Sequence, residues 1–91
     1  MVHVSMDFPG ATTQEYDRVH AKLTAAPIPG VLVHSCIKTP DGLRIVDVWE
    51  SEEQFQTFAQ GMREAVLAEG FGEPQNLTVL PVHNMQTDLA G

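Results

Sequence analysis

Two signals for the start of a helix divide this chain of 91 residues into helical segments and the strand-like segments between them. Thr12-Thr13-Gln14-Glu15 and Ser51-Glu52-Glu53-Gln54 both fit the capping box, in which a Ser or Thr side chain and a Glu or Gln three residues later satisfy free backbone N–H groups. Apolar residues follow each box at spacings of three and four, which is typical of an amphipathic helix. We expect the first helix to end before Pro27-Ile28-Pro29-Gly30 and the second at Gly70.

The segments outside the two helices have the patterns of strands. Residues 2–8 alternate between apolar and polar side chains, and residues 31–38, 43–50 and 76–83 are rich in β-branched and apolar residues. Thr39-Pro40-Asp41-Gly42 suits a type I turn with glycine in the left-handed bulge position, which predicts a hairpin that pairs Thr39 with Leu43.

The order of these elements, βαββαβ, is that of ferredoxin-like α+β domains, which have a four-stranded antiparallel sheet with two helices on one face. We expect residues 1–83 to form a single domain and residues 84–91 a C-terminal tail. With 43% hydrophobic and 19% charged residues, the chain is too apolar to stay disordered and should bury a core.

In this architecture one face of the sheet has no helix to cover it. We expect Val4, Met6, Val46 and Val48 to lie on that bare face, where they would form a large apolar patch of the kind that soluble monomers avoid. A second copy packed about a two-fold axis would cover the patch without any other partner. The sequence therefore predicts a homodimer.

Charge and cysteine content exclude several classes of partner and site. The formal net charge of −7 disfavours binding to nucleic acid or to an anionic membrane surface. Cys36 is the single cysteine, so we expect neither a disulfide framework nor a cysteine-rich metal site. The N-terminus resembles no secretion signal, and no run of about 20 apolar residues could span a membrane, so we expect a cytoplasmic protein.

The run Arg44-Ile45-Val46-Asp47-Val48-Trp49-Glu50-Ser51, followed by Glu52-Glu53-Gln54-Phe55 and by Phe58, resembles the third strand and second helix of small dimeric α+β barrel proteins. These proteins belong to the antibiotic biosynthesis monooxygenase-like superfamily, whose members include cofactor-independent monooxygenases on polycyclic aromatic substrates, heme-degrading monooxygenases, polyketide cyclases and isomerases. The resemblance covers the order of elements from Val2 to His83. It implies a pocket in each subunit between the sheet and the helices.

The residues of the heme-degrading branch are missing from this sequence. That branch uses an Asn in the first strand, a Trp in the second helix and a heme-ligating His further along, whereas this chain has Phe58 at the position of the Trp and no His between Phe58 and Glu69. Gly70-Phe71-Gly72 does not open a helix after a strand, as a dinucleotide-binding loop must. We therefore expect no cofactor.

Asp47 and Trp49 stand two residues apart in the third strand and so share a face of the sheet. A carboxylate beside an indole in a partly dry pocket is a candidate general base, and the competing interpretation, which the sequence favours, is that Asp47 pairs with a neighbour or solvent and Trp49 simply belongs to the core. Tyr16 on the first helix should face the sheet and could reach a ligand. With Trp49, Phe55 and Phe58 supplying apolar walls, these residues form the predicted substrate pocket.

His34 is the second candidate catalytic residue, and the register of the hairpin decides its position. The register favoured by the turn places Ser35 opposite Asp47 and His34 on the other face, whereas a slip by one residue would bring His34 beside Asp47. His83, at the end of the last strand, is a further candidate for ligand binding. His34 lies too far along the sheet from His3 and His83 for a three-histidine metal site, so we expect no metal.

Two classes of function remain open at this point. The first is a small-molecule enzyme, namely a cofactor-independent oxygenase, cyclase or isomerase acting on an apolar or aromatic substrate. The second is a non-catalytic dimeric module that binds a small ligand or supports an assembly. An apolar cavity beside Trp49 reached by Asp47 or a histidine would favour the enzyme, and a filled core would favour the module.

Overall fold

The computed structural model describes all residues from Met1 to Gly91. Its elements are, in chain order, β1 (Val2–Pro9), α1 (Thr13–Leu23), β2 (Val31–Thr39), β3 (Gly42–Trp49), α2 (Glu52–Ala68) and β4 (Gln75–Pro81). The four strands form one sheet in the order β2-β3-β1-β4, and every neighbouring pair is antiparallel. The predicted ferredoxin-like fold is thus confirmed.

Both helices begin at the residues that the capping signals indicated. At α1 the box is complete, because the Thr12 side chain accepts from the Glu15 backbone N–H and the Glu15 carboxylate accepts from the Thr12 N–H. At α2 the box is half formed. The Ser51 hydroxyl accepts from the Gln54 N–H, but the Gln54 side chain binds that same hydroxyl and not the backbone.

The pairing of β1 with β3 decides which side chains face the helices. Val4 lies opposite Asp47 and Met6 opposite Ile45, so these four side chains share one face. That face packs against the helices, and Val4 and Met6 are almost completely buried. The prediction that Val4 and Met6 belong to the bare face is therefore wrong. Directly opposed residues share a face, and Val46 is opposed by Ser5, not by an apolar residue of β1.

The bare outer face lacks Val4 and Met6 but carries apolar residues from the other three strands. Val46 and Val48 do lie there and are half-buried. The exposed residues Val33 and Ile37 of β2 flank them on one side, and Leu80 of β4, opposite His3, lies on the other. The outer face thus carries apolar residues on β2, β3 and β4, with the polar residues His3, Ser5 and Asp7 of β1 between β3 and β4.

The hairpin between β2 and β3 has a two-residue loop, Pro40-Asp41, because Thr39 pairs with Gly42. The predicted pairing of Thr39 with Leu43 is wrong, and so is the left-handed conformation expected of Gly42, which does not have a positive φ. Gly42 is needed for a different reason. A Cβ there would lie 2.3 Å from the backbone oxygen of Phe8, so the end of β1 can approach β3 only where a side chain is lacking.

Beyond β4 the chain forms no further helix or strand, and β4 itself ends at Pro81, two residues before the predicted end. No helix of the structure has both the length and the apolar character required to cross a membrane.

Candidate functional site

A cavity of about 170 Å³ lies between the sheet and the two helices, on the side of β3. Twelve of its sixteen lining residues are hydrophobic, and the lining comes from the sheet, from both helices and from the loops that follow the helices. The lining consists of Phe8, Tyr16, Val19, His20, Leu23, Thr24, Ile28, Val31, His34, Ile45, Asp47, Trp49, Phe58, Met62, Val66 and Phe71. Its position is the one that the sequence resemblance implied.

Four of these side chains are joined by hydrogen bonds in a line that we call the polar row: Tyr16, His34, Asp47 and Trp49. The Tyr16 hydroxyl lies 2.5 Å from His34 Nε2, and His34 Nδ1 lies 2.7 Å from Asp47 Oδ1. The Trp49 indole N–H donates to Asp47 Oδ2 at 3.3 Å. Both carboxylate oxygens of Asp47 are therefore occupied by ring nitrogens.

The two-residue hairpin loop creates the centre of the polar row. With Thr39 opposite Gly42, His34 falls directly opposite Asp47, and both side chains point toward the helices. The register favoured from the sequence, with Ser35 opposite Asp47, is therefore wrong. The structure has the alternative register, shifted by one residue, in which His34 lies opposite Asp47. Tyr16, on α1, reaches His34 from above the sheet.

Burial differs sharply along the polar row. Asp47 is 4% exposed and Trp49 is 1% exposed, so the carboxylate sits in a dry environment and depends on its two N–H donors. The His34 side chain is 35% exposed and stands nearer to solvent. The row thus runs from a buried anion to a partly accessible imidazole and hydroxyl.

The proton positions follow from the donors and acceptors. Burial, and next the neighbouring acidic groups of Cys36 and Asp47, raises the pKa of Tyr16 to about 12, so its hydroxyl keeps its proton. His34 Nε2 is the one acceptor within hydrogen-bond distance of that hydroxyl. We therefore assign the His34 proton to Nδ1, which donates to Asp47, and the lone pair to Nε2.

His20 adds a third ring beside Tyr16 and His34. Its ring centroid is 5.4 Å from that of Tyr16 and 5.9 Å from that of His34, and the Tyr16 and His34 rings are nearly parallel. The three rings restrict one another's rotation and so hold His34 in place. Cys36 lies next along the helix-facing side of β2, and burial raises the pKa of its thiol, which disfavours the nucleophilic thiolate.

Five of the seven predicted site residues line the cavity: Tyr16, His34, Asp47, Trp49 and Phe58. The Phe58 ring lies 5.1 Å from that of Trp49.

Phe55 and His83 do not line the cavity. Phe55 is buried against another side of Trp49, with ring centroids 5.8 Å apart, because the rotation of α2 directs position 58 and not position 55 toward the cavity. His83 is exposed beyond the end of β4, since the strand stops at Pro81 opposite Val2. These two predicted ligand-binding residues therefore lie outside the wall of this cavity.

Sequence reasoning missed the role of His20 and the part of the wall formed by Ile28, Val31 and Phe71. A signal for His20 was present, because it follows Tyr16 by four residues and therefore shares its helix face. Ile28 and Phe71 lie outside the helices and strands, where periodicity carries no information.

The fold is shared with solved structures of known proteins. The cofactor-independent oxygenase SnoaB from Streptomyces nogalater superposes with a TM-score of 0.64 at 16% identity, over 92% of this chain and 93% of SnoaB. The monooxygenase ActVA-Orf6 of Streptomyces coelicolor, solved with nanaomycin D, gives a TM-score of 0.59 at 19% identity over 94% and 90% of the two chains. The heme degrader MhuD from Mycobacterium tuberculosis gives 0.55 at 20% identity over 94% and 98%.

At these identities the likeness concerns the fold, and it confirms the fold of the antibiotic biosynthesis monooxygenase-like proteins for this chain. No family model matches the sequence, and neither does any curated protein. The cavity volume of about 170 Å³ is close to the volume that holds a single benzene ring.

Proposed function

We propose that this protein is a small-molecule enzyme that removes a proton from an apolar phenol or enolisable aromatic compound, as a cofactor-independent oxygenase, cyclase or isomerase. One observation supports this above the others: a buried carboxylate orients a histidine whose free nitrogen meets a hydroxyl at the wall of an apolar cavity. If Asp47 and His34 only filled space in the core, they would not need a hydroxyl at the free nitrogen of His34 on the cavity wall.

The polar row can accept a proton without a large movement. A substrate hydroxyl or acidic C–H that meets the Tyr16 oxygen gives its proton to that oxygen, while the Tyr16 proton passes to His34 Nε2. The imidazolium formed at His34 is then stabilised by the Asp47 carboxylate 2.7 Å away. One proton has moved from substrate to imidazole, and the substrate anion remains in the cavity.

The fate of that anion distinguishes the three reaction types. Return of the proton at another carbon gives isomerisation, and attack of the anion on a carbonyl of the same molecule gives cyclisation. With dioxygen, a C–H carbon of a phenol ring is oxidised to a carbonyl and the second oxygen atom leaves as water, so that a phenol, C₆H₅OH, and O₂ give a quinone, C₆H₄O₂, and H₂O. All three begin with the same proton transfer.

The proton transfer can be measured without knowledge of the natural substrate. Acetophenone, 1-indanone and 1-tetralone are enolisable aromatic ketones, and exchange of their α-protons in D₂O is followed by proton NMR. We expect the protein to accelerate exchange of at least one ketone above the buffer rate. Exchange at the buffer rate for all three would overturn the proposal and leave the non-catalytic binding module in its place.

Matched variants assign the exchange to the polar row. Asp47→Asn and His34→Ala should lower the acceleration by roughly 10²–10⁴. Asp88→Asn makes the same chemical change at an exposed tail position, and His83→Ala removes an exposed imidazole outside the cavity, so both should keep it. Full acceleration in Asp47→Asn would remove Asp47 from the mechanism.

We also propose that a second copy of the chain covers the outer face of the sheet. Val33, Ile37 and Leu80 on that face are 38%, 45% and 58% exposed, a patch that favours association. Its charged residues, Asp7 and Arg44, form an ion pair at 2.7 Å. Two acidic chains can therefore meet there without facing like charges, and the same patch on both copies satisfies two-fold symmetry.

A further inference from the structure

We propose that the ligand of this cavity is an uncharged phenol with one aromatic ring and an apolar chain on the side opposite the hydroxyl. This inference rests on the proposed function, since it identifies the substrate class of the same site. It follows from the volume of the cavity, from its charges and from the position of its opening.

The volume limits the ring system. An engineered apolar cavity of about 150 Å³ takes one benzene molecule, and the cavity beside Trp49 measures about 170 Å³. One ring therefore fits between the sheet and the helices, while two or three fused rings require the walls to move apart.

The charges of the lining limit the ionic state of the ligand. The lining contains neither Lys nor Arg, and its one carboxylate is Asp47. An anionic ligand would lose its hydration without gaining a cation, and it would also meet a protein whose formal net charge is −7. A neutral hydroxyl suits the site, because the Tyr16 oxygen, whose own proton is donated to His34, can accept a hydrogen bond from it at one end of the cavity.

The opposite end of the cavity continues into an open groove. Leu23, Ile28, Phe58 and Met62 line both spaces, so the two are adjacent along these four side chains. The groove runs between the loop that follows α1 and the exposed side of α2, where Gly61 forms part of its wall. A chain attached to the ring opposite the hydroxyl would leave the cavity past Phe58 and Met62, which belong to the apolar part of a groove whose remaining lining is mostly polar.

Gly61 provides a way to close the groove and leave the cavity unchanged. A Cβ built on Gly61 meets no atom within 4 Å, so a larger residue is accommodated there without a clash. Replacing a glycine inside a helix also favours the helix. Gly61→Leu should therefore fill the groove in a folded protein, and Gly61→Ala is the matched control that adds only a methyl group.

The experiment is a binding titration followed by the fluorescence of Trp49, the only tryptophan of the chain and part of the cavity wall. The probes are phenol, 4-pentylphenol, 4-pentylbenzoate and 9-anthrol. Each buried methylene strengthens binding about fourfold. We expect 4-pentylphenol to bind at least about tenfold more tightly than phenol, and 4-pentylbenzoate and 9-anthrol to bind more weakly than 4-pentylphenol.

The variants separate the cavity from the groove. In Gly61→Leu the affinity for 4-pentylphenol should fall to that for phenol, while the affinity for phenol stays unchanged; Gly61→Ala should bind both as the wild type does. Equal binding of the benzoate, preference for 9-anthrol, or a pentyl gain that survives in Gly61→Leu would each overturn the inference. Because the readout is binding, ligands that bind without any proton exchange would refute the proposed function alone.

Discussion

Replacing Asp47 by Asn should reverse two of the three hydrogen bonds of the polar row, those on either side of His34, without unfolding the protein. The carboxylate accepts N–H bonds from both His34 and Trp49, whereas an amide can accept only through its oxygen. If that oxygen stays with the buried Trp49 N–H, the amide NH₂ faces His34 Nδ1. His34 must then accept at Nδ1 and carry its proton on Nε2, where the Tyr16 oxygen accepts it.

The expected loss of stability is small for Asn and larger for Ala. In Asp47→Asn the ring N–H groups of Trp49 and His34 both keep acceptors, and the change from bonds with a charged acceptor to neutral bonds costs about 1 kcal/mol. In Asp47→Ala the indole N–H of Trp49, which is 1% exposed, loses its acceptor in a dry site. The unsatisfied donor and the lost bonds together should cost at least about 2 kcal/mol in free energy of unfolding.

Two measurements test this reasoning. Long-range proton–nitrogen NMR distinguishes the two tautomers, and only four histidines need to be assigned. We expect the proton on Nδ1 of His34 in the wild type and on Nε2 in Asp47→Asn, with acceleration of α-proton exchange lowered by roughly 10²–10⁴. Urea denaturation gives the stabilities. A wild-type proton on Nε2, or equal destabilisation by Asn and Ala, would refute the assignment.

Three further outcomes follow from the structure. Tyr16 is the only tyrosine, so absorbance at 295 nm should show a titration midpoint near pH 12 in the folded protein and near pH 10 in denaturant. Because the native state keeps the proton to higher pH, the free energy of unfolding should decrease as the pH rises from 10 to 12. A native midpoint of 10 would contradict the buried hydroxyl. Gly42→Ala should lower the free energy of unfolding by more than about 2 kcal/mol, because its Cβ would meet the Phe8 backbone oxygen, whereas Gly61→Ala should raise it by about 0.5 to 1 kcal/mol. Denaturant unfolding of the two variants compares them directly, and equal stability would show that β1 does not approach β3 so closely. Light scattering should give about 20 kDa, twice the chain mass of 10.0 kDa, and a monomer at micromolar concentration would remove the proposed packing of outer faces.

The order of elements could be predicted from the sequence because its signals are local. The capping residues Thr12 and Ser51 and the alternation in β1 act over a few neighbouring positions, and the structure keeps all of them. The pairing of Asp47 and Trp49 on one face was predictable for the same reason, since the side-chain period of a strand is fixed.

The parts that could not be predicted depend on contacts between distant segments. Pro40-Asp41-Gly42 fits both a two-residue and a three-residue hairpin loop, and the choice goes with the close approach of Gly42 to the end of β1. Similarly, Phe55 and Phe58 are both on the apolar side of α2, but the rotation of the helix against the sheet decides which of them faces the cavity. Neither choice leaves a signal in the residues nearby.

The shortness of the Pro40-Asp41 loop also bears on how such a site arises and disappears in evolution. One codon inserted between Thr39 and Gly42 would turn β2 over, directing Val33 and Ser35 inward and carrying His34 and Cys36 to the outer face. The sheet, the helices and most of the core would persist, but Asp47 would lose its imidazole. A single three-base insertion would thus be enough to separate His34 from Asp47 within one fold, so the length of this hairpin decides whether the polar row exists.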